Sequence, residues 1–126
     1  MKMYTNESQT AKLIELGFEK PKGWCVEGIS SRLIMYKHKE DDEDFNYSVG
    51  ELLSFLPTTI TAKIWWGIDK GQEGVWGLRI DTGATDYGWD VSYERDSSAY
   101  LHREGCTELI DALYDMILKL KEERVI

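Results

Sequence analysis

A chain of 126 residues with a formal net charge of -8 is long enough for one domain with its own core, and needs no disulfide framework or structural metal to hold it. The carboxylate excess argues against direct binding to nucleic-acid phosphates or to anionic membrane, and makes a basic protein the better partner. The two cysteines, Cys25 and Cys106, form no C-x-x-C pair and adjoin no histidine cluster, which sets aside zinc and thioredoxin-type chemistry and leaves reduced, buried thiols; no cofactor is implied. Residues 1–7 carry no apolar signal region, and the longest apolar run is far below the about 20 residues of a membrane span, so the expectation is a cytoplasmic protein.

Residues 7–18 open the chain with helical spacing at Ala11, Leu13, Ile14, Leu16 and Phe18, and Gly17 stands where a helix C-terminus wants a left-handed residue, with Pro21 after it. Residues 24–26 and 31–37 read as strands. The run Glu40-Asp41-Asp42-Glu43-Asp44 lacks the alternation and the glycine of a calcium loop, and reads as solvated loop. Ser48 followed by Glu51 is a capping box, and Val49, Leu52, Leu53 and Leu56 make a short helix that Pro57 stops.

From residue 60 the period becomes two. Ile60, Ala62, Ile64, Trp66 and Ile68 alternate with Thr61, Lys63, Trp65 and Gly67; a glycine-bearing turn over 69–74 then returns the chain through Trp76, Leu78 and Ile80. Tyr87, Trp89, Val91 and Tyr93 repeat the pattern, and residues 98–103 form a last short strand. Residues 107–122 close the chain as an amphipathic helix: Leu109, Leu113, Met116, Ile117 and Leu120 share one stripe, and Glu108, Asp111, Asp115, Lys119 and Glu122 lie opposite, with Thr107 as N-cap. The predicted architecture is a single α+β domain over 1–126. It has an antiparallel meander of four to five strands, with one face covered by the C-terminal helix and two shorter helices.

The segment Ser48-Val49-Gly50-Glu51-Leu52-Leu53-Ser54-Phe55-Leu56-Pro57, the strand Trp89-Asp90-Val91-Ser92-Tyr93 and the helix Glu108–Ile117 resemble a group of small uncharacterised proteins encoded in phages and mobile elements of anaerobic gut bacteria. The shared positions are core and capping residues. The resemblance implies a phage or prophage setting and carries over no activity and no functional residue.

Three constellations bear on chemistry. Asp81-Thr82-Gly83-Ala84 resembles the signature of retroviral-type aspartic proteases, whose mechanism needs two aspartates sharing a proton. Arg79 stands where that pattern wants an apolar or small residue and no supporting apolar-apolar-Gly segment follows, so a turn explains it better. His38 borders lysines and the acidic loop. His102 shares a strand side with Tyr100 and Ser98, away from Leu101, with no nucleophile or metal-ligand spacing to accompany it. Cys106, just before a helix, reads as buried.

Trp65 carries the functional expectation. With Trp66 on the buried side, alternation puts Trp65 on the opposite face with Lys63, Arg79, Asp90 and Glu94, and Tyr100 and His102 extend that face: an aromatic and charged surface of protein-contact composition. The expectation is a non-enzymatic protein-binding module that uses this open face. The other reading is that Trp65 is covered by the N-terminal segment or by a dimer mate. One alternative is an acidic decoy of a nucleic-acid-binding protein, acting through residues 40–44; another, of a different class, is a small hydrolase using Asp81 or the Tyr100/His102 pair.

Overall fold

Nine elements follow one another in a computed structural model that describes residues 3–21, 24–29, 32–37, 46–81, 88–106 and 108–126, with backbone alone at 24–29, 32–37 and 102–106. They are α1 (Glu7–Glu15), β1 (Trp24–Ile29), β2 (Arg32–Lys37), α2 (Val49–Phe55), β3 (Thr59–Lys63), β4 (Glu73–Asp81), β5 (Trp89–Arg95), β6 (Ser98–Cys106) and α3 (Leu109–Glu122). The expected α+β meander is present: β3, β4, β5 and β6 pair antiparallel in chain order, as successive hairpins dictate. The strands β1 and β2 form an antiparallel hairpin in a separate two-stranded sheet. The acidic run 40–44, His38, residues 82–84 and Thr107 lie outside the described residues.

The helix ends follow from local chemistry. Asn6 caps α1 by accepting from the Gln9 N–H at 2.8 Å, and the Gln9 side chain returns the bond to the Asn6 N–H at 3.0 Å. At the other end Phe18 N–H donates to Leu13 O and Gly17 N–H to Ile14 O, a Schellman motif that needs the left-handed φ of +97° held by Gly17. The predicted Ser48/Glu51 capping box closes α2. Helix α3 starts one residue later than expected, with Glu108 in place of Thr107 at its N-cap, and Glu108 makes no side-chain capping bond.

The stripe of α3 is wholly buried: Leu109, Ile110, Leu113, Met116, Ile117 and Leu120 enter the core, and the helix lies on β5 and β6 with α2 beside it. From the sheet, Ile60, Trp76, Val91 and Tyr93 meet them, with Trp66, Leu78, Ile80 and Trp89 at the margin. Burial at this scale stabilises by about 25 cal/mol per Å² of apolar surface. Phe18 and Phe55 pack at 4.8 Å between centroids, Tyr47 meets Phe55 edge-on at 5.4 Å, and the Lys121 ammonium sits 5.0 Å above the Phe18 ring, which draws all three helices together. Under them, Tyr47 N–H donates to Thr5 Oγ1, the Thr5 and Thr10 hydroxyls bond at 2.7 Å, and Thr10 donates to Asn46 Oδ1 at 2.6 Å, so the buried hydroxyls are satisfied.

The sheet departs from the sequence reading in β6, which runs to Cys106 and past the expected residue 103, and at the β3–β4 hairpin. The alternation through Trp66 and Ile68 predicts a strand to residue 68, but β3 ends at Lys63. Ile64 N–H still donates to Gln72 O and Gly71 N–H to Ile64 O. Beyond that rung Gly67 (φ +72°) and Gly71 (φ +90°) bend the chain through a loop that leaves Ile68 fully exposed. The β5–β6 hairpin turns on Asp96 (φ 47°) and Ser97 (φ 66°), the two left-handed residues of a type I′ turn.

Candidate functional site

Outside the ladder, Trp65 is free of strand alternation, and it lies elsewhere than predicted. Its ring stacks on buried Trp76 at 4.9 Å and 22°, meets Trp66 edge-on at 5.2 Å and reaches Tyr100 at 6.0 Å. Trp76 belongs to the core side of β4, so Trp65 has folded onto that side instead of projecting with Arg79. Trp76 is itself anchored by its indole N–H, which donates to Ala62 O at 3.2 Å. Trp65 nonetheless remains 45% exposed. Apolar contact draws the ring back over Trp76, and aromatic pairs of this geometry add about 0.5–1.5 kcal/mol beyond area burial.

Tyr100 is the second displaced residue. Tyr93 pairs with Leu101 and Glu94 with Ala99, so Tyr100 is the extra residue of a β-bulge. The bulge puts Tyr100 and Leu101 both against the core, where strict alternation would separate them, and brings the Tyr100 ring 5.6 Å from that of Trp76. The backbone of His102 pairs with Ser92; its side chain lies outside the described residues.

The outer face of the sheet holds the rest of the expected set. Arg79 donates from one nitrogen to Glu94 Oε2 and from the other to Asp81 Oδ2, both at 3.1 Å, and Ser92 Oγ donates to Glu94 Oε1 at 3.1 Å. The hydrogen bonds that Arg79 donates to Glu94 and Asp81, with the charges of both, raise its pKa above the ordinary value. Asp90 faces Asp81 across the β4–β5 ladder, and Lys63 ends β3 opposite Glu73. Thus Arg79, Asp90 and Glu94 are brought together, while Trp65 and Tyr100 form a separate aromatic group on the other side. Asp81 accepts from Arg79, and Asp90 is its ladder neighbour. Among the described residues no group of three or more His, Cys, Asp or Glu is placed to hold a metal ion, and no helix is long and apolar enough to cross a membrane.

Two features were not anticipated. Val75 on the outer side of β4 is 57% exposed, and with Ile68 and Trp65 it puts three large apolar side chains of one hairpin into solvent. A groove of about 560 Å³ also runs beside β3, lined in part by Ile60, Ala62, Tyr100, Val125 and Ile126. Periodicity conceals the first, because Ile68 continues an apolar alternation while standing in a loop. The second joins residues far apart in the chain.

No protein-family model, curated protein or solved structure matches the chain.

Proposed function

We propose that this protein is a non-enzymatic protein-binding module, an accessory protein of the phage or prophage kind that the sequence resemblance implies, contacting its partner through the β3–β4 hairpin and the adjoining charged face. The observation that carries the reading is the exposure of Trp65, Ile68 and Val75 on one hairpin. Isolated apolar side chains at a surface need no explanation, but burial of these three on association would each contribute at about 25 cal/mol per Å². Arg79, already oriented by Asp81 and Glu94, loses little freedom on contact, and Arg and Trp are the residue types that dominate interface energetics. With a net charge of -8, the favoured partner is basic.

The experiment compares capture of bacterial partners by wild type and by Ile68→Asp, chosen because Ile68 is fully exposed and supports no packing. Loss of a captured protein in the variant is expected; identical recovery would move the interface off the hairpin. For the hydrolase alternative, turnover of a peptide, ester or phosphoester substrate that disappears in Asp81→Asn would overturn the non-enzymatic reading.

A further inference from the structure

The outer edge of β3 offers its main chain to a partner. In an antiparallel ladder, alternate residues bond across to the neighbour and the residues between them bond outward. Leu78 N–H donates to Thr58 O and Ile64 N–H to Gln72 O, which sets residues 58, 60, 62 and 64 as the inward-bonding series. The N–H and C=O groups of Thr59, Thr61 and Lys63 therefore aim away from β4. Among the described residues no strand pairs with that edge, because β3 is terminal in its sheet and β1 and β2 pair with each other. The groove beside it, of about 560 Å³, is lined by the apolar Ile60, Ala62, Tyr100, Val125 and Ile126 together with Glu123 and Arg124, whose charges are opposite.

From this geometry we infer that β3 takes an added strand: an extended, basic segment of another protein, with apolar side chains at alternate positions lying in the groove. The inference rests on the protein-binding reading above and specifies the partner. Main-chain bonds to Thr59, Thr61 and Lys63 provide the attachment, and the period of two places every second side chain over Ile60 and Ala62 while the intervening ones face solvent beside Thr59 and Thr61. Charge decides between occupants. A second copy of the chain would bring a net charge of -8 against -8, whereas a basic segment is attracted.

The test uses full-length protein with capped synthetic peptides: valine alternating with lysine, valine alternating with glutamate, and a valine/lysine peptide of the same composition with its valines in one block. Hydrogen exchange is followed by NMR at single amides. The alternating valine/lysine peptide should slow exchange at Thr61 and Lys63 by about tenfold when present at about ten times its Kd, with Ile60 and Ala62, already bonded to β4, unchanged. Binding should weaken with salt and be absent for the other two peptides. Thr61→Pro removes an outward N–H and leaves the β4 ladder intact, so it should abolish protection while keeping the wild-type melting temperature. Failure of the alternating valine/lysine peptide to protect Thr61, equal protection by the glutamate peptide, or unchanged binding in a folded Thr61→Pro protein would each overturn the inference. A dimeric mass with Thr61 protected before any peptide is added would overturn it in favour of a second copy. If Thr61→Pro still captures a partner that Ile68→Asp loses, the strand addition fails and the binding module stands.

Discussion

Gln9 and Asp111, 102 residues apart in sequence, are joined by a hydrogen bond of 2.8 Å from the Gln9 amide nitrogen to Asp111 Oδ1. The same Gln9 side chain accepts from the Asn6 N–H, so one residue closes the start of α1 and ties it to the first turn of α3. Each half would be modest alone. Together they orient the first helix on the last, because the capping bond restricts the rotamer that reaches Asp111.

A double-mutant cycle measures this link. Gln9→Ala is expected to cost about 1–2 kcal/mol, combining a lost cap with a lost bond, and Asp111→Ala about 1 kcal/mol. The double variant in urea titrations should be less destabilised than the sum by about 0.5–1.5 kcal/mol. Strict additivity would show that the Gln9–Asp111 bond does not couple the two helices.

The buried stripe of α3 supplies the largest single effect. Leu113 is fully buried on the sheet, and Leu113→Ala should cost about 2–5 kcal/mol through lost burial and a residual cavity. On the exposed side, Glu122→Ala should change stability by about 0.5 kcal/mol or less. Thermal melts that place the two variants together would contradict the packing of α3 on β5 and β6.

This helix was readable from the chain because its period of 3.6 is sustained over four turns and nothing interrupts it. The α2 capping box was equally plain, since Ser48 and Glu51 act on backbone three residues away and need no tertiary context. The face of Trp65 was not. Alternation continues through Ile64, Trp66 and Ile68, but the hydrogen-bond ladder does not, and where it stops is set by the left-handed glycines Gly67 and Gly71. Nor does composition announce the bulge that turns Tyr100 inward; a register shift of one residue redirects a side chain without altering the local pattern.

Two glycines of β4 separate packing from chain entropy. A Cβ on Gly74 would lie 2.9 Å from both Cδ1 and Cγ1 of Ile64, whose side chain fills the space over that strand, and 3.3 Å from Arg95 Cδ; at Gly77 there is open space. Gly74→Ala should therefore destabilise, by about 1–3 kcal/mol, while Gly77→Ala should be neutral or stabilise by up to about 1 kcal/mol. Denaturant midpoints of the two variants should shift in opposite directions or by clearly unequal amounts.

The C-terminus of α3 ends in a Schellman motif like that of α1, with Arg124 N–H donating to Lys121 O and Val125 N–H to Leu120 O, but here an arginine holds the left-handed φ of 57°. That conformation costs a non-glycine residue about 1 kcal/mol. Arg124→Gly is expected to raise the melting temperature, with stability greater by about 0.5–1 kcal/mol. A lower melting temperature would mean that the arginine side chain contributes more than its backbone loses.

Alkaline pH should unfold the protein through two buried phenols. The Tyr93 hydroxyl donates to Pro57 O at 2.6 Å, and that of Tyr47 donates to Glu19 O. Burial pushes Tyr93 up to about 12; burial, reinforced by the charges of Glu51 and Glu19, does the same for Tyr47. An unfolded tyrosine titrates near about 10. Because the folded values lie above the unfolded ones, the native state holds protons that the unfolded state has released. The stabilisation is therefore complete below about pH 10 and is lost as pH rises towards about 12. Urea midpoints should be level from neutral pH to about 9 and then fall steeply. Tyr93→Phe lacks the ionisable group as well as the bond to Pro57 O, so it should start lower at neutral pH by about 0.5–1.5 kcal/mol and decline less steeply above pH 10. Combining it with Tyr47→Phe should flatten the curve further, and a double variant that keeps the wild-type alkaline slope would show that other groups drive the transition.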